Sequence, residues 1–352
     1  MPSSLPLLVL VFAAAAGGVW LAGIELSKTT DVLSERLHLG AAIGGLMLLA
    51  IATNLPEIAI TASAALAHDL GIAIGNILGG IAIQTVVLVV LDLVGLGRRA
   101  ALSYIGSSLQ LVLEGGLVIA VLVVAVMGAQ LPASATHFRL EPAALLIAAL
   151  WLVGIWLLGR ARTGLPWHAQ GNPPDGQAEP RGTRKRKRER EAHRSTVRAA
   201  AIFAGAAAVT LVGGVLLERS GERIAAHVGM SGVLFGATVL AAATALPEVS
   251  TGIASVRMGD YQLAFSDIFG GNAFLPVLFL VASVLSGSAV LPQAHKTDIY
   301  LTALGALLTA VYIYGLVFRP RRQVGRMGID SLAVLVLYAI GVVGLVVVSR
   351  SS

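Results

Sequence analysis

Residues 52–57 read Ala52-Thr53-Asn54-Leu55-Pro56-Glu57, and residues 243–248 read Ala243-Thr244-Ala245-Leu246-Pro247-Glu248. The offset is 191 residues. At that offset Gly45 falls on Gly236, Asn76 on Asp267, and Gly79-Gly80 on Gly270-Gly271, with no gap. A register kept over that distance marks an internal duplication, and both copies place a proline and a glutamate inside an apolar stretch.

Around these segments the chain is built for a bilayer. Hydrophobic residues make up 56% of the 352 and charged residues only 12%, about half the charged share of a soluble domain. The apolar residues come in runs of about twenty, enough to cross a hydrocarbon core of ~30 Å. Ten spans are predicted, near 5–24, 40–67, 71–95, 102–128, 141–159, 197–218, 232–256, 262–287, 298–318 and 329–349. The first lacks a cationic n-region and a close small-residue cleavage site, and is expected to be a retained helix. Each repeat then holds five spans. An odd number makes the second copy enter the membrane in the opposite sense. The expected fold is an all-α membrane protein of ten transmembrane helices. They form two inverted-topology five-helix repeats, with broken helices at the midplane. Residues 1–159 form the first repeat, 160–197 a linker and 198–352 the second repeat.

The linker differs in kind. It contains Asn172-Pro173-Pro174-Asp175-Gly176 and then Arg184-Lys185-Arg186-Lys187-Arg188, a composition expected to be mostly disordered. With this loop in the cytoplasm, alternate loops collect 20 of the 25 Lys and Arg residues on that side, as the positive-inside rule requires. Both termini then lie outside, in a bacterial-type plasma (inner) membrane. The net charge of +6 does not imply nucleic acid, because the basic residues sit at span ends and not on one folded face. Cysteine is absent, which excludes disulfides and thiolate metal sites.

Pro56 and Pro247 cannot donate backbone hydrogen bonds, which frees the carbonyls of Ala52 and Ala243. Broken backbone at membrane depth survives only against protein or a water-filled cavity, and free carbonyls there are hard oxygen ligands for Na⁺ or Ca²⁺. Glu57 and Glu248 follow Thr53 and Thr244 by one turn, so each pair can share a face. A carboxylate at the bilayer centre costs ~2.5–3.5 kcal/mol on insertion scales. No Lys or Arg stands opposite within the spans, and the simplest counter-charge is a bound cation or a proton. The plainer alternative is a pair of protonated glutamates packing a kink. The next span of each repeat adds Asn76, Gly80 and Gln84 on one face in the first copy, and Asp267, Gly271 and Leu275 in the second, with Asn272 beside them. Asp267 is read as a third acid of the site or as a helix-start aspartate at the surface. Glu114, beside Gly115 and Gly116, has no assigned role.

These residues resemble the sodium/calcium exchanger family of the calcium:cation antiporter superfamily. Thr53 to Glu57 followed by Gly75-Asn76-Ile77-Leu78-Gly79-Gly80 resembles its first alpha repeat. Thr244 to Glu248 followed by Ser266-Asp267-Ile268-Phe269-Gly270-Gly271-Asn272 resembles the second. The resemblance implies Ca²⁺ binding by Glu57 and Glu248, with backbone carbonyls from Thr53 and Thr244. The family's serines are replaced by Asn54, Ala245, Gly80 and Gly271, and its second polar position by Gln84 and Leu275. Several hydroxyl ligands for Na⁺ are thus missing. The expected metal-site residues are Glu57, Glu248, Thr53, Thr244, Asn54, Asn76, Asp267, Gln84 and Asn272. The expected function is secondary antiport of Ca²⁺ against Na⁺ or H⁺ by alternating access. Alternatives are exchange of Na⁺, K⁺ or Mg²⁺ against H⁺, or a passive cation channel. No enzyme and no bound cofactor is expected. The partners are metal cations as substrates and the lipid bilayer.

Overall fold

The computed structural model describes residues 4–36, 46–96, 100–135, 139–167, 196–230 and 235–350. The linker segment 168–195, with its expected disorder, lies outside the described residues. In the first half the helices are α1 (Leu5–Arg36), α2 (Leu46–Thr53), α3 (Leu55–Leu66), α4 (Leu70–Val90), α5 (Leu102–Gly106), α6 (Leu109–Gly128) and α7 (Pro142–Thr163). In the second half they are α8 (Thr196–Val228), α9 (Ala241–Thr244), α10 (Leu246–Met258), α11 (Tyr261–Phe274), α12 (Leu278–Ser286), α13 (Lys296–Phe318) and α14 (Ile329–Arg350). A two-residue hairpin, β1 (Gln323–Val324) against β2 (Met327–Gly328), joins the last two helices.

Among the described residues, eight helices are long and apolar enough to cross a membrane, and the bent pair Thr238–Thr244 with Leu246–Arg257 makes a ninth. The ten spans expected from the sequence are not all present among the described residues. The break before Pro56 leaves Leu55–Leu66 too short to span by itself, and residues 37–45, ahead of α2, lie outside the described residues. Two helices outrun their expected lengths: α1 continues to Arg36 and α8 to Val228. The expected fourth span is interrupted, because Ser107 and Ser108 are extended between α5 and α6 and the Ser108 hydroxyl caps α6 at Leu111.

The helices sort by environment. Spans Leu70–Val94 and Tyr261–Ser286 are 72% and 67% buried, against 22% for Pro142–Ala161 and for Ile329–Arg350. The first two form the centre and carry the polar residues; the others present leucine and valine outward, as a lipid-facing surface requires. Local signals repeat with the fold. Asp69 caps α4 by accepting from the Ile72 amide, and its equivalent Asp260 caps α11 through Leu263. The residues just before them, His68 and Gly259, both take a left-handed φ, 58° and 83°, to turn the chain.

The contacts show that the repeats are inverted. Helices α1 and α8 are equivalents at the 191 offset, yet they pack antiparallel. Gly18 faces Val209, Val19 and Ala15 face Gly213, and Phe12 faces Gly221. Gly18 and Val209 are themselves equivalent residues, so the pseudo-two-fold axis passes between them.

Candidate cation site between the two repeats

The proline in each copy breaks its helix after Thr53 and after Thr244. Asn54 (φ −86°, ψ 14°) and Ala245 (φ −78°, ψ 4°) occupy the joints, and the second break bends the chain by 50°. Pro56 and Pro247 have no N–H to give, so the Ala52 and Ala243 carbonyls lose their helical partner. Each break is held open from outside by a glycine of the other repeat. A Cβ on Gly23 of α1 would lie 2.9 Å from Pro247 Cα, and one on Gly214 of α8 would lie 2.9 Å from the Pro56 carbonyl oxygen. Gly23 and Gly214 are again equivalents. Their common place in the 191 register is a signal already present in the sequence.

The breaks point Glu57 and Glu248 into the same buried centre, both fully shielded. Their threonine neighbours cross between repeats: the Thr244 side chain lies beside Glu57, and the Thr53 side chain lies beside Glu248. These cross-repeat neighbours come in addition to the within-repeat face sharing that helical periodicity allows. Gln84 links the pair. Its Nε2 donates to Asn54 Oδ1 at 3.0 Å, Glu57 Oε1 at 3.3 Å and Glu248 Oε1 at 3.4 Å.

The remaining candidates surround this centre in different roles. Asp267 is buried in the second turn of α11, not at the surface, and accepts from Thr53 Oγ1 at 3.4 Å and closely from Thr251 Oγ1. Asn76 Nδ2 donates to the Glu57 carbonyl at 3.3 Å and to Thr61 at 3.4 Å. Asn54 Nδ2 turns back to the Ala50 carbonyl at 2.7 Å, capping α2. Asn272 Nδ2 donates to Thr85 at 3.1 Å, on the far side of the Gln84 turn. Thr61, Thr85 and Thr251 were missed in the sequence, because threonine in an apolar helix usually bonds its own backbone. Glu114 finds partners in Gln110 Nε2 at 2.9 Å and Ser266 Oγ at 2.6 Å. It ties α6 to α11 one residue from Asp267.

Four buried side-chain atoms here accept no hydrogen bond among the described residues: Glu57 Oε2, Glu248 Oε2, Gln84 Oε1 and Asn272 Oδ1. All are oxygens. Orphaned buried acceptors cost about 1–3 kcal/mol each, more when charged, and a hard cation is the partner that oxygen ligands suit. Among the described residues no three acidic or imidazole side chains form a metal cage by themselves. A cation held here must therefore also draw on amide, hydroxyl and backbone oxygens.

A cavity of about 380 Å³ lies on one side of this centre and extends to Asn76. Asn76 lies in its wall, together with Asp69, Glu218, Glu222, Asp298 and His295. The cavity lies at the N-terminal end of α4, so it opens on the face opposite the end at which α7 leads into the linker.

Apolar helices in two inverted repeats, with broken segments bringing two carboxylates to the axis, define a secondary transporter. Comparison with known proteins narrows the class. The chain belongs to the sodium/calcium exchanger protein family, whose model matches residues 7–165 and 198–347. It is 26% identical over 311 residues to the inner membrane protein YrbG of Escherichia coli (strain K12), covering 86% of this chain and 87% of that one. It is 28% identical over 298 residues to the putative antiporter CaxA of Alkalimonas amylolytica, covering 84% and 85%. Its fold is similar to that of the sodium-calcium exchanger NCX_Mj soaked with Na⁺ and Sr²⁺ (TM-score 0.61, 19% identity, 97% of this chain and 99% of that chain). It is also similar to that of the H⁺/Ca²⁺ exchanger CAX (TM-score 0.62, 13% identity, 98% and 88%). The chain is thus an integral membrane protein of a transporter family.

Proposed function

We propose that this protein exchanges Ca²⁺ for H⁺ or Na⁺ by alternating access, through ten spans and with the Glu57–Glu248 pair as the cation's two charges. The observation that carries the reading is the convergence of the two glutamates and Gln84 on one buried point, each with an oxygen left unpartnered among the described residues. Backbone oxygens at the two breaks complete the ligand set. The acidic cavity at Asn76 is the open path. With the basic linker in the cytoplasm, the open side is the outside.

One feature favours H⁺ as the counter-ion. Gly80 and Gly271 stand where the family places serines, so hydroxyls that would ligate Na⁺ are missing. Asp267, bonded to Thr53 and Thr251, is instead an acid able to take up and release a proton beside Glu248. The test is ⁴⁵Ca²⁺ flux in proteoliposomes with Na⁺, K⁺ or pH gradients imposed in turn. A pH gradient should drive uptake. Glu57→Gln and Glu248→Gln should each reduce flux by at least about a hundredfold, because losing one charge of a matched buried set costs roughly 3–5 kcal/mol. Normal flux in either variant would overturn the assignment.

A further inference from the structure

A second pair of buried acids lies at the other end of α4, away from the glutamates. Past Val90 the helix widens into a π-helical turn, Leu91–Leu96, which carries Asp92. Such turns recur at functional sites. Asp330 lies in the first turn of α14, directly after the hairpin. Both are shielded, at 0% and 6% exposure. Eight residues along a helix separate Asp92 from Gln84, about 12 Å, so this pair is distinct from the glutamate centre. Asp69, in the wall of the open cavity, is 23 residues away, roughly 35 Å along the same helix.

The two carboxylates share one space. A Cβ on Gly328 would collide with Asp330 Oδ1 and come within 3.3 Å of Asp92 Oδ2, and a Cβ on Gly315 would also collide with Asp330. Glycine at both positions lets the acids approach. Asp92 has a structural duty: it accepts from the Leu102 amide at 2.8 Å and the Gly328 amide at 2.6 Å, joining α5 to the hairpin. Asp330 is held less firmly: the Ser331 amide lies beside it, but neither of its oxygens meets a donor at hydrogen-bonding distance and angle among the described residues. The Ser103 hydroxyl, 2% exposed, lies beside Asp330 and is likewise unpartnered. The Ser331 hydroxyl lies beside Asp92. Among the described residues neither acid takes part in an ion pair.

We propose that Asp92, Asp330, Ser103 and Ser331 form a second site for a hard divalent cation such as Ca²⁺, outside the transport path. The chemistry is matched. Two carboxylates balance a double charge, and their four oxygens with two hydroxyls reach the roughly six oxygen ligands at which Ca²⁺ coordination begins. The site joins α4, which carries Gln84 and Asn76, to the α13–α14 hairpin. It lies at the membrane face opposite the acidic cavity.

The experiment counts ⁴⁵Ca²⁺ ions bound to the purified full-length protein by equilibrium dialysis. Four proteins are compared: wild type, Glu57→Gln/Glu248→Gln, Asp330→Asn, and all three substitutions together. Wild type should hold one more ion per chain than either partial variant, and the triple variant should hold none. If Glu57→Gln/Glu248→Gln binds as much as wild type, the transport-site reading fails and this proposal is untouched. If Asp330→Asn binds as much as wild type, this proposal is overturned. Ser103→Ala removes one hydroxyl with little risk to folding, and should weaken the second Ca²⁺ at least tenfold. Unchanged affinity there would also count against the site. Ca²⁺ should raise the melting temperature of Glu57→Gln/Glu248→Gln protein but not of the triple variant.

Discussion

Gly23→Ala and Gly214→Ala should each destabilise the protein and impair transport. At Gly23 the new methyl meets Pro247 Cα and Cβ at 2.9 Å; at Gly214 it meets the Pro56 carbonyl oxygen at 2.9 Å and Cα at 3.0 Å. Carbon contacts are comfortable at about 3.5–4.0 Å, so each long helix must retreat by roughly half an ångström or more. The obstacle is backbone and cannot rotate away. Overpacking of this kind costs about 1–3 kcal/mol, while the helical preference of alanine offsets about 0.5–1 kcal/mol. The net loss is centred on about 1 kcal/mol per site, within roughly 0–2.5, and the two sites share no contact and should add. Gly17→Ala and Gly205→Ala are the controls. They lie in the same two helices with nothing within 4 Å of the added methyl, and should be neutral or slightly stabilising. The assay is thermal unfolding in detergent paired with ⁴⁵Ca²⁺ flux in proteoliposomes. Transport should fall by more than the folded fraction, because α1 and α8 press on the two breaks that aim Glu57 and Glu248. Gly23 and Gly214 variants that melt and transport like the controls would refute the reasoning.

Neutralising the cavity wall with Glu218→Gln, Glu222→Gln and Asp298→Asn should raise the KM for Ca²⁺ several-fold with little change in kcat. The effect should weaken at high ionic strength, as expected of charges that gather ions without holding them. An effect seen only with Ca²⁺ added on the linker side would reverse the proposed orientation. Asp267→Asn should move the pH profile of transport and alter the choice of counter-ion more than it lowers Ca²⁺ affinity; an unchanged profile removes Asp267 from proton coupling. Glu141 lies just ahead of α7, where burial raises its carboxyl above the usual range even though the Val290 and Leu291 amides and the Ser283 hydroxyl donate to it. A raised folded value means its stability contribution is full below about pH 4.3 and is lost as pH rises through the folded value. Glu141→Gln should therefore gain stability relative to wild type as pH rises. Parallel melting curves across pH for the two proteins would show that the carboxyl is not perturbed.

The duplication, the membrane setting, the breaks at Pro56 and Pro247 and the pairing of Glu57 with Glu248 are all legible in the chain. Each depends on local composition or on a register that survives without gaps. Helix propensity and a missing proline N–H act within a few residues. An inverted repeat that keeps its register must bring equivalent residues near a common axis. The sequence could not say which oxygen meets which partner. Periodicity put Thr53 on a face with Glu57; the packing of the second repeat also gives Thr53 a bond to Asp267 and places it beside Glu248. It also left Asp267 between surface and site, because one turn of helix decides that, and only the N-cap at Asp260 fixes where the helix starts. Asn54, a ligand candidate by position, caps α2 with its Nδ2 and turns its Oδ1 to Gln84. Glu114 acquired its meaning through Ser266, 152 residues away. Asp92 and Asp330 became a pair only when the hairpin folded back on α4. These are long-range packing outcomes. They depend on which small residues, Gly23, Gly214, Gly315 and Gly328 among them, let backbones or carboxylates approach, and that depends on every helix being in place.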